Sequence, residues 1–180
     1  MATAPSIDSI LESFPYPNIP PIQGQPTYQS IADLTKTACE NAASVPSVSG
    51  GGAHGHLGIV LSDAQYTALT GVAYNPPVDP GPTPTIPPGT TGPQIAAIER
   101  QFKEEQRIFQ THANVDAALK QQIQNAVPKK YIKNLANRQT GFLGVTARQM
   151  LTHLQQRYRQ LTPQQFAENN KKFREAFNPT

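Results

Sequence analysis

The chain has 180 residues, 18 of them proline and none tryptophan, with 37% hydrophobic content and a formal net charge of +3. No apolar run approaches the ~18 residues that a membrane-spanning helix needs, and the single cysteine, Cys39, excludes an internal disulfide framework and every multi-cysteine metal site. Both composition and charge divide near the middle: fifteen prolines lie at or before Pro93, and residues 1–90 carry a net −5 against +8 for residues 91–180. A conventional core is therefore expected in the second half, whose basic surface suits either a polyanion or plain solvent.

Met1 to Ser6 has neither the basic start nor the apolar stretch of a secretory leader, so a soluble, cytoplasmic protein is expected. Residues 1–27 hold one short apolar stretch, Ile7 to Phe14, followed by Pro15, Pro17, Pro20, Pro21 and Pro26. Proline fixes φ and lacks an N–H, so this region reads as an extended arm lying along a partner or the domain body.

Residues 30–43 read as the first helix, with Ser30 and Asp33 as a capping box and Ile31, Leu34, Ala38 and Ala42 on one face. Pro46 and Gly50-Gly51-Gly52 end it. After His54-Gly55-His56, the run Leu57 to Leu61 is β-like, the one strand pattern of weight in the chain. Ser62 and Gln65 open a short helix through Leu69 that Gly71 terminates, which gives a segment 28–71 with a Gly/His loop. Residues 72–92 are too polar and proline-rich for a core and read as a linker or surface-hugging loop.

From Thr91, with Gln94 three residues on, a long amphipathic helix carries Ile95, Ile98, Phe102, Phe109, His112, Asp116, Leu119 and Ile123 on one side. Pro128 stops it, and Asn114 and Asp116 leave open whether it is one helix or two. A short helix is expected at Tyr131, Ile132 and Leu135, then a turn between Gly141 and Gly144. Thr146 and Gln149 cap a helix lined by Met150, Leu151, Leu154 and Tyr158. Thr162-Pro163 starts another, on which Phe166, Phe173 and Phe177 face one way. The expected fold is mainly α: an antiparallel helical bundle over 93–177 with a proline-rich arm and linker.

Chemistry-bearing patterns are sparse. His54-x-His56 lacks the further ligands a zinc site needs, and a histidine-bearing turn that steadies the glycine loop is the better reading. Gly50-Gly51-Gly52 lacks the Lys-Ser/Thr of a nucleotide-binding loop, there is no G-x-S-x-G, and the carboxylates at Glu99, Glu104 and Glu105 sit among basic residues as helix-surface pairs. Cys39 lies in an apolar pattern and reads as a structural thiol. No enzyme and no cofactor is expected.

The basic residues form two groups. Lys129, Lys130, Lys133 and Arg138 lie at one helix junction, and Arg157, Arg159, Lys171, Lys172 and Arg174 on the last two helices. Interleaved with Tyr131, Tyr158 and Phe173, they suit a sequence-blind RNA surface built on phosphate contacts, the plainer reading being a solvated face with the rings turned inward.

The order of blocks carries a resemblance. Tyr28-Gln29-Ser30-Ile31, Asn41-Ala42-Ala43-Ser44-Val45, Gly50-Gly51-Gly52-Ala53-His54-Gly55-His56-Leu57-Gly58 and the Pro80-Gly81-Pro82 stretch resemble Gag-like proteins of copia-type retrotransposons. So do Ile123 to Leu135, the helix of Ala147, Met150, Leu151, Leu154 and Tyr158, and the Leu161-Thr162-Pro163 restart. The resemblance spans roughly 28–177. It implies a capsid-type helical module that self-associates around element RNA, with itself as partner, no small-molecule substrate and no membrane. The zinc knuckle that such polyproteins often carry downstream has no counterpart in this sequence. The rival expectations are a monomeric RNA- or DNA-binding helical module, and a domesticated adaptor that docks partners through its arm and linker.

Overall fold

The computed structural model describes residues 2–48, 52–158 and 163–176. Among them the fold is mainly helical: α1 (Ile7–Ser13), α2 (Tyr28–Ser44), α3 (Asp63–Thr70), α4 (Gly92–Ala126), α5 (Ala147–Tyr158) and α6 (Pro163–Ala176). Short 3-10 turns join them, and the described residues contain no strand, only an isolated bridge between Asn137 and Gly141. No helix among them is long and apolar enough to cross a membrane.

The local signals act largely where the sequence puts them. Ser62 and Gln65 cap α3 reciprocally, and Gly71 ends it at a φ of 77°, a conformation that glycine adopts without a Cβ penalty. The Thr91 N–H donates to Gln94 Oε1 at 3.0 Å at the start of α4, and the Thr146 N–H to Gln149 Oε1 at 3.0 Å before α5. The first cap differs: Thr27, not Ser30, is the N-cap of α2, and Ser30 takes the N3 position, which moves the start to Tyr28. α4 is one continuous helix of 35 residues. Its polar midpoint does not break it, because Asn114 Nδ2 donates to Pro5 O at 2.8 Å and Asp116 accepts from the Ala147 N–H at 3.0 Å.

The core draws on both halves of the chain. Ile31, Leu34, Ala38 and Ala42 of α2 meet Val115, Ala118, Leu119 and Ile123 of α4 and Ala147, Met150, Leu151 and Leu154 of α5, all buried. Each large aliphatic side chain buried this way contributes roughly 1.5–3 kcal/mol of transfer free energy. Residues 1–27 add to that core. Ser6 caps Ile7–Ser13, so the apolar stretch expected to be extended is a helix, and Ile10 and Phe14, one turn apart, insert beneath it. The chain beyond Phe14 is non-helical and lies along the body, with Ile22 N–H donating to Ala126 O at 2.7 Å.

Leu57 to Leu61, expected as β-like, forms a 3-10 turn at Leu57–Ile59 with Leu57, Gly58, Ile59 and Val60 buried. Burial on every side produces the same continuous apolar run as a buried strand, which is why the pattern misleads. Tyr131, Ile132 and Leu135 lie on two successive 3-10 turns, Lys129–Tyr131 and Lys133–Leu135, in place of one short helix.

Candidate functional site

The first candidate surface is the junction after α4. Pro128 ends the helix, and the two tight turns that follow present Lys129, Lys130 and Lys133 on the outside while Ile132 is fully buried between them. Arg138 is exposed in the turn closed by Asn137 and Gly141. Tyr131 meets Tyr158 edge-to-face at 5.6 Å, which packs the first of the two tight turns against the end of α5, where Arg157 is exposed. Lys130 Nζ lies 4.9 Å from the Tyr131 ring centre, and His153 Nε2 lies 3.2 Å from Tyr131 O. Tyr131 and Tyr158 are partly buried against the core, so these two rings turn inward. Phe173 is different, at 67% exposure. Lys171 and Lys172 are exposed on α6, with Lys171 Nζ 3.9 Å from Glu175. Arg159 lies outside the described residues, as do Gly50, Gly51 and Phe177.

α6 itself is the second candidate. Every described side chain on it is exposed, Phe166 at 59% included. The first half of α4 is similarly open. No residue from Gly92 to Gln110 is buried, and Thr111 is the first that is. At 1.5 Å per residue this half extends roughly 28 Å before the core begins.

A partly buried polar cluster, which the sequence reading did not assemble, lies where α4, α5 and the loop before α3 meet. His56 is buried. Its N–H donates to Ala42 O at 2.9 Å and its Nδ1 lies 2.8 Å from Val45 O, so the histidine-bearing turn closes the end of α2. Gly55 has φ +53°, and a Cβ there would collide with the Ala43 and Val45 carbonyls. The His112 ring stands 6.0 Å from that of His56, and its Nε2 is 2.7 Å from the Tyr74 hydroxyl. Arg148 donates to Asp63 Oδ1 at 2.9 Å and to Gly58 O, with its guanidinium 5.5 Å from the Tyr74 ring centre. Burial, then His56 and Arg148, push His112 down to about 4, and burial lowers His56 as well. Burial pushes Tyr74 up to about 12. Both imidazoles are thus neutral near pH 7. Position 112 on the apolar face of the long helix was the available signal; nothing in the spacing pointed to Tyr74 as its partner.

A second polar network holds the arm. Asn41, fully buried, donates to Tyr16 O and Gln122 Oε1, each at 2.9 Å, and accepts from the Tyr16 N–H at 3.0 Å. Gln122 Nε2 donates to Tyr16 O at 2.9 Å and Pro17 O at 3.0 Å.

Between α2, α3 and α5 runs a groove of about 300 Å³, lined by Tyr28, Ile31, Thr35, Cys39, Gln65 and Gln155. Burial, then the Glu40 charge, push the Cys39 thiol up to about 11, so it stays protonated and unreactive there. Among the described residues no group of three His, Cys, Asp or Glu is placed to hold a metal ion.

No family model, no curated protein and no solved structure matches the chain.

Proposed function

We propose that the chain is a capsid-type self-association module, the Gag-like structural part of a copia-type retrotransposon, assembling around the element's RNA. The observation that carries this reading is α6: a 14-residue helix with phenylalanines seven positions apart whose described side chains all face outward. An amphipathic helix gains most of its stability by burying its apolar face, and a neighbouring copy supplies that burial. The order of sequence blocks from Tyr28 to the helix of Ala147–Tyr158 supports the same family. The docked arm and the open half of α4 add contact area, so that many weak contacts sum through multivalency.

The exposed Lys129, Lys130 and Lys133 on the turns after α4 favour a second reading, a monomeric RNA-binding module. Here phosphate contacts supply the affinity, which falls steeply with salt. Light scattering coupled to size-exclusion chromatography separates the two, run across protein concentration and salt with and without single-stranded RNA. Large species that grow with concentration, RNA or not, support assembly. A monomer that binds RNA with steep salt dependence favours the second reading. A monomer that does neither overturns both and leaves the adaptor.

A further inference from the structure

We propose that Tyr74 and His112 form an acid-released latch that holds the proline-rich segment 72–91 against the body of the protein. This inference stands independently of the self-association reading. It begins with connectivity. Tyr74 sits beside His112, twenty residues into α4, yet the chain must return to Thr91 to begin that helix. The seventeen residues from 74 to 91 span up to ~53 Å as polyproline II, against roughly 30 Å of α4 to be retraced. The segment therefore has slack, and its attachment depends on particular contacts.

Tyr74 makes such contacts with several elements at once. No residue of 72–91 is buried, and the hydrogen bonds along its middle close locally, Gly81 N–H to Asp79 Oδ1 at 2.9 Å and the Thr90 hydroxyl to Pro87 O at 2.6 Å. The Tyr74 ring, by contrast, lies against Gly58, where any Cβ would collide with it. It meets Tyr66 of α3 at 5.2 Å and Arg148 of α5 at 5.5 Å, and its hydroxyl bonds His112 Nε2 at 2.7 Å. The socket has a glycine floor, an aromatic wall and a cationic rim.

The groups that face His112 decide how this socket responds to acid. Around it stand His56 from the loop before α3, Arg148 from α5, Tyr74 from the segment itself, and Asp116 one turn along α4. Asp63 of α3 is paired with Arg148 at 2.9 Å, so its charge is already engaged. Asp116 is likewise occupied by the Ala147 N–H, and burial raises its pKa. A proton on His112 would thus sit half-buried between one fixed cation and a second imidazole that also takes up charge. His112, which Tyr74 covers, has its pKa lowered by burial, so the docked state binds fewer protons than an open one in which that ring meets water. Docking is favoured above the ordinary histidine value of 6.5 and weakens as pH falls toward about 4. Uptake of one proton on opening lowers the docked-to-open ratio by up to about tenfold per pH unit in that window. Asp116 works in the opposite sense, but its bond is to the start of α5. Tyr74 stays protonated throughout.

The test is nuclear magnetic resonance on the full chain from pH 7.5 to 4, following the Tyr74 ring, the His112 Cε1–H and the amides of α2 and α5. We expect the Tyr74 ring to move to free-tyrosine positions with the His112 titration while the helix amides keep their dispersion. His112→Gln, which keeps a neutral partner for the hydroxyl, should hold Tyr74 docked across the range. Tyr74→Phe, which keeps the ring and loses the bond, should open at higher pH than the native chain. Three results would each overturn the latch: Tyr74 still docked at pH 4 in the native chain, Tyr74 and helix signals lost together, or both variants opening at the native midpoint.

Discussion

α5 and α6 are adjacent amphipathic helices of 12 and 14 residues, and only one of them is part of the core. On α5 the apolar stripe is continuous, with Ala147, Met150, Leu151 and Leu154 all buried. On α6 it is sparse: Phe166 and Phe173 are separated by two turns, with Asn169 and Asn170 between them. Helical spacing establishes that a helix has a face. The density of large side chains along that face decides whether the molecule's own core can use it, because a stripe interrupted by amides strands polar groups if buried. α5 has a further support in Asp116, whose side-chain oxygen accepts from its first N–H.

The contrast predicts unequal costs for the same kind of truncation. Leu154, fully buried, should lose about 2–5 kcal/mol on Leu154→Ala through lost transfer energy and a residual cavity. Urea unfolding followed by far-ultraviolet circular dichroism measures it. A change under about 1 kcal/mol would mean that α5 is no more embedded than α6.

Much of this contrast was legible in the sequence, and some of it could not be. The stripes of α2 and α5, the caps at Ser62, Thr91 and Thr146 and the stop at Gly71 are local patterns, and local patterns survive reading one residue at a time. Ile7–Ser13 was harder, because the prolines that follow dominate the composition while Ser6 and the Ile10–Phe14 spacing carry the helix. Long-range polar pairs left no trace. Asn41 and Gln122 are 81 positions apart, and each alone looks like a solvent-facing amide. The basic residues stand out as groups in the sequence, but the contact between Tyr131 and Tyr158 that joins the turn after α4 to the end of α5 is not encoded in periodicity.

The arm offers the next test. Asn41→Ala leaves the Tyr16 N–H and the Gln122 amide short of partners in a buried site, at a cost of about 2–3 kcal/mol. Faster amide exchange around Ile10 and Ile22 should accompany it. Unchanged exchange there would show that the apolar contacts of Ile10 and Phe14 hold the arm by themselves. A smaller effect is expected at the start of α5. Asp116→Ala removes the acceptor of the Ala147 N–H and should cost about 1–2 kcal/mol. Asp116→Asn keeps an acceptor and removes the titration. Burial raises the native carboxyl's pKa, so its stabilising contribution is present at acid pH and lost as pH rises through the folded value. The Asn variant should therefore gain on the native chain as pH rises from about 4 through the folded value in parallel urea titrations, and a constant difference would contradict that sign.

Phe166→Ser on α6 should change unfolding free energy least, by no more than about 0.5 kcal/mol, because the ring is already 59% exposed. Its effect should appear instead in association. If a second copy covers this face, replacing the ring with a hydroxyl removes apolar area from the contact while leaving the fold intact. The concentration at which large species form in light scattering should then rise several-fold. On that reading stability and association should respond in opposite patterns on the two helices, Leu154→Ala weakening the fold and Phe166→Ser only the association. A Phe166→Ser chain that is strongly destabilised as a dilute monomer would place α6 inside the fold. One that assembles like the native chain would move the interface to another surface, with the open half of α4 between Gly92 and Gln110 the next to test.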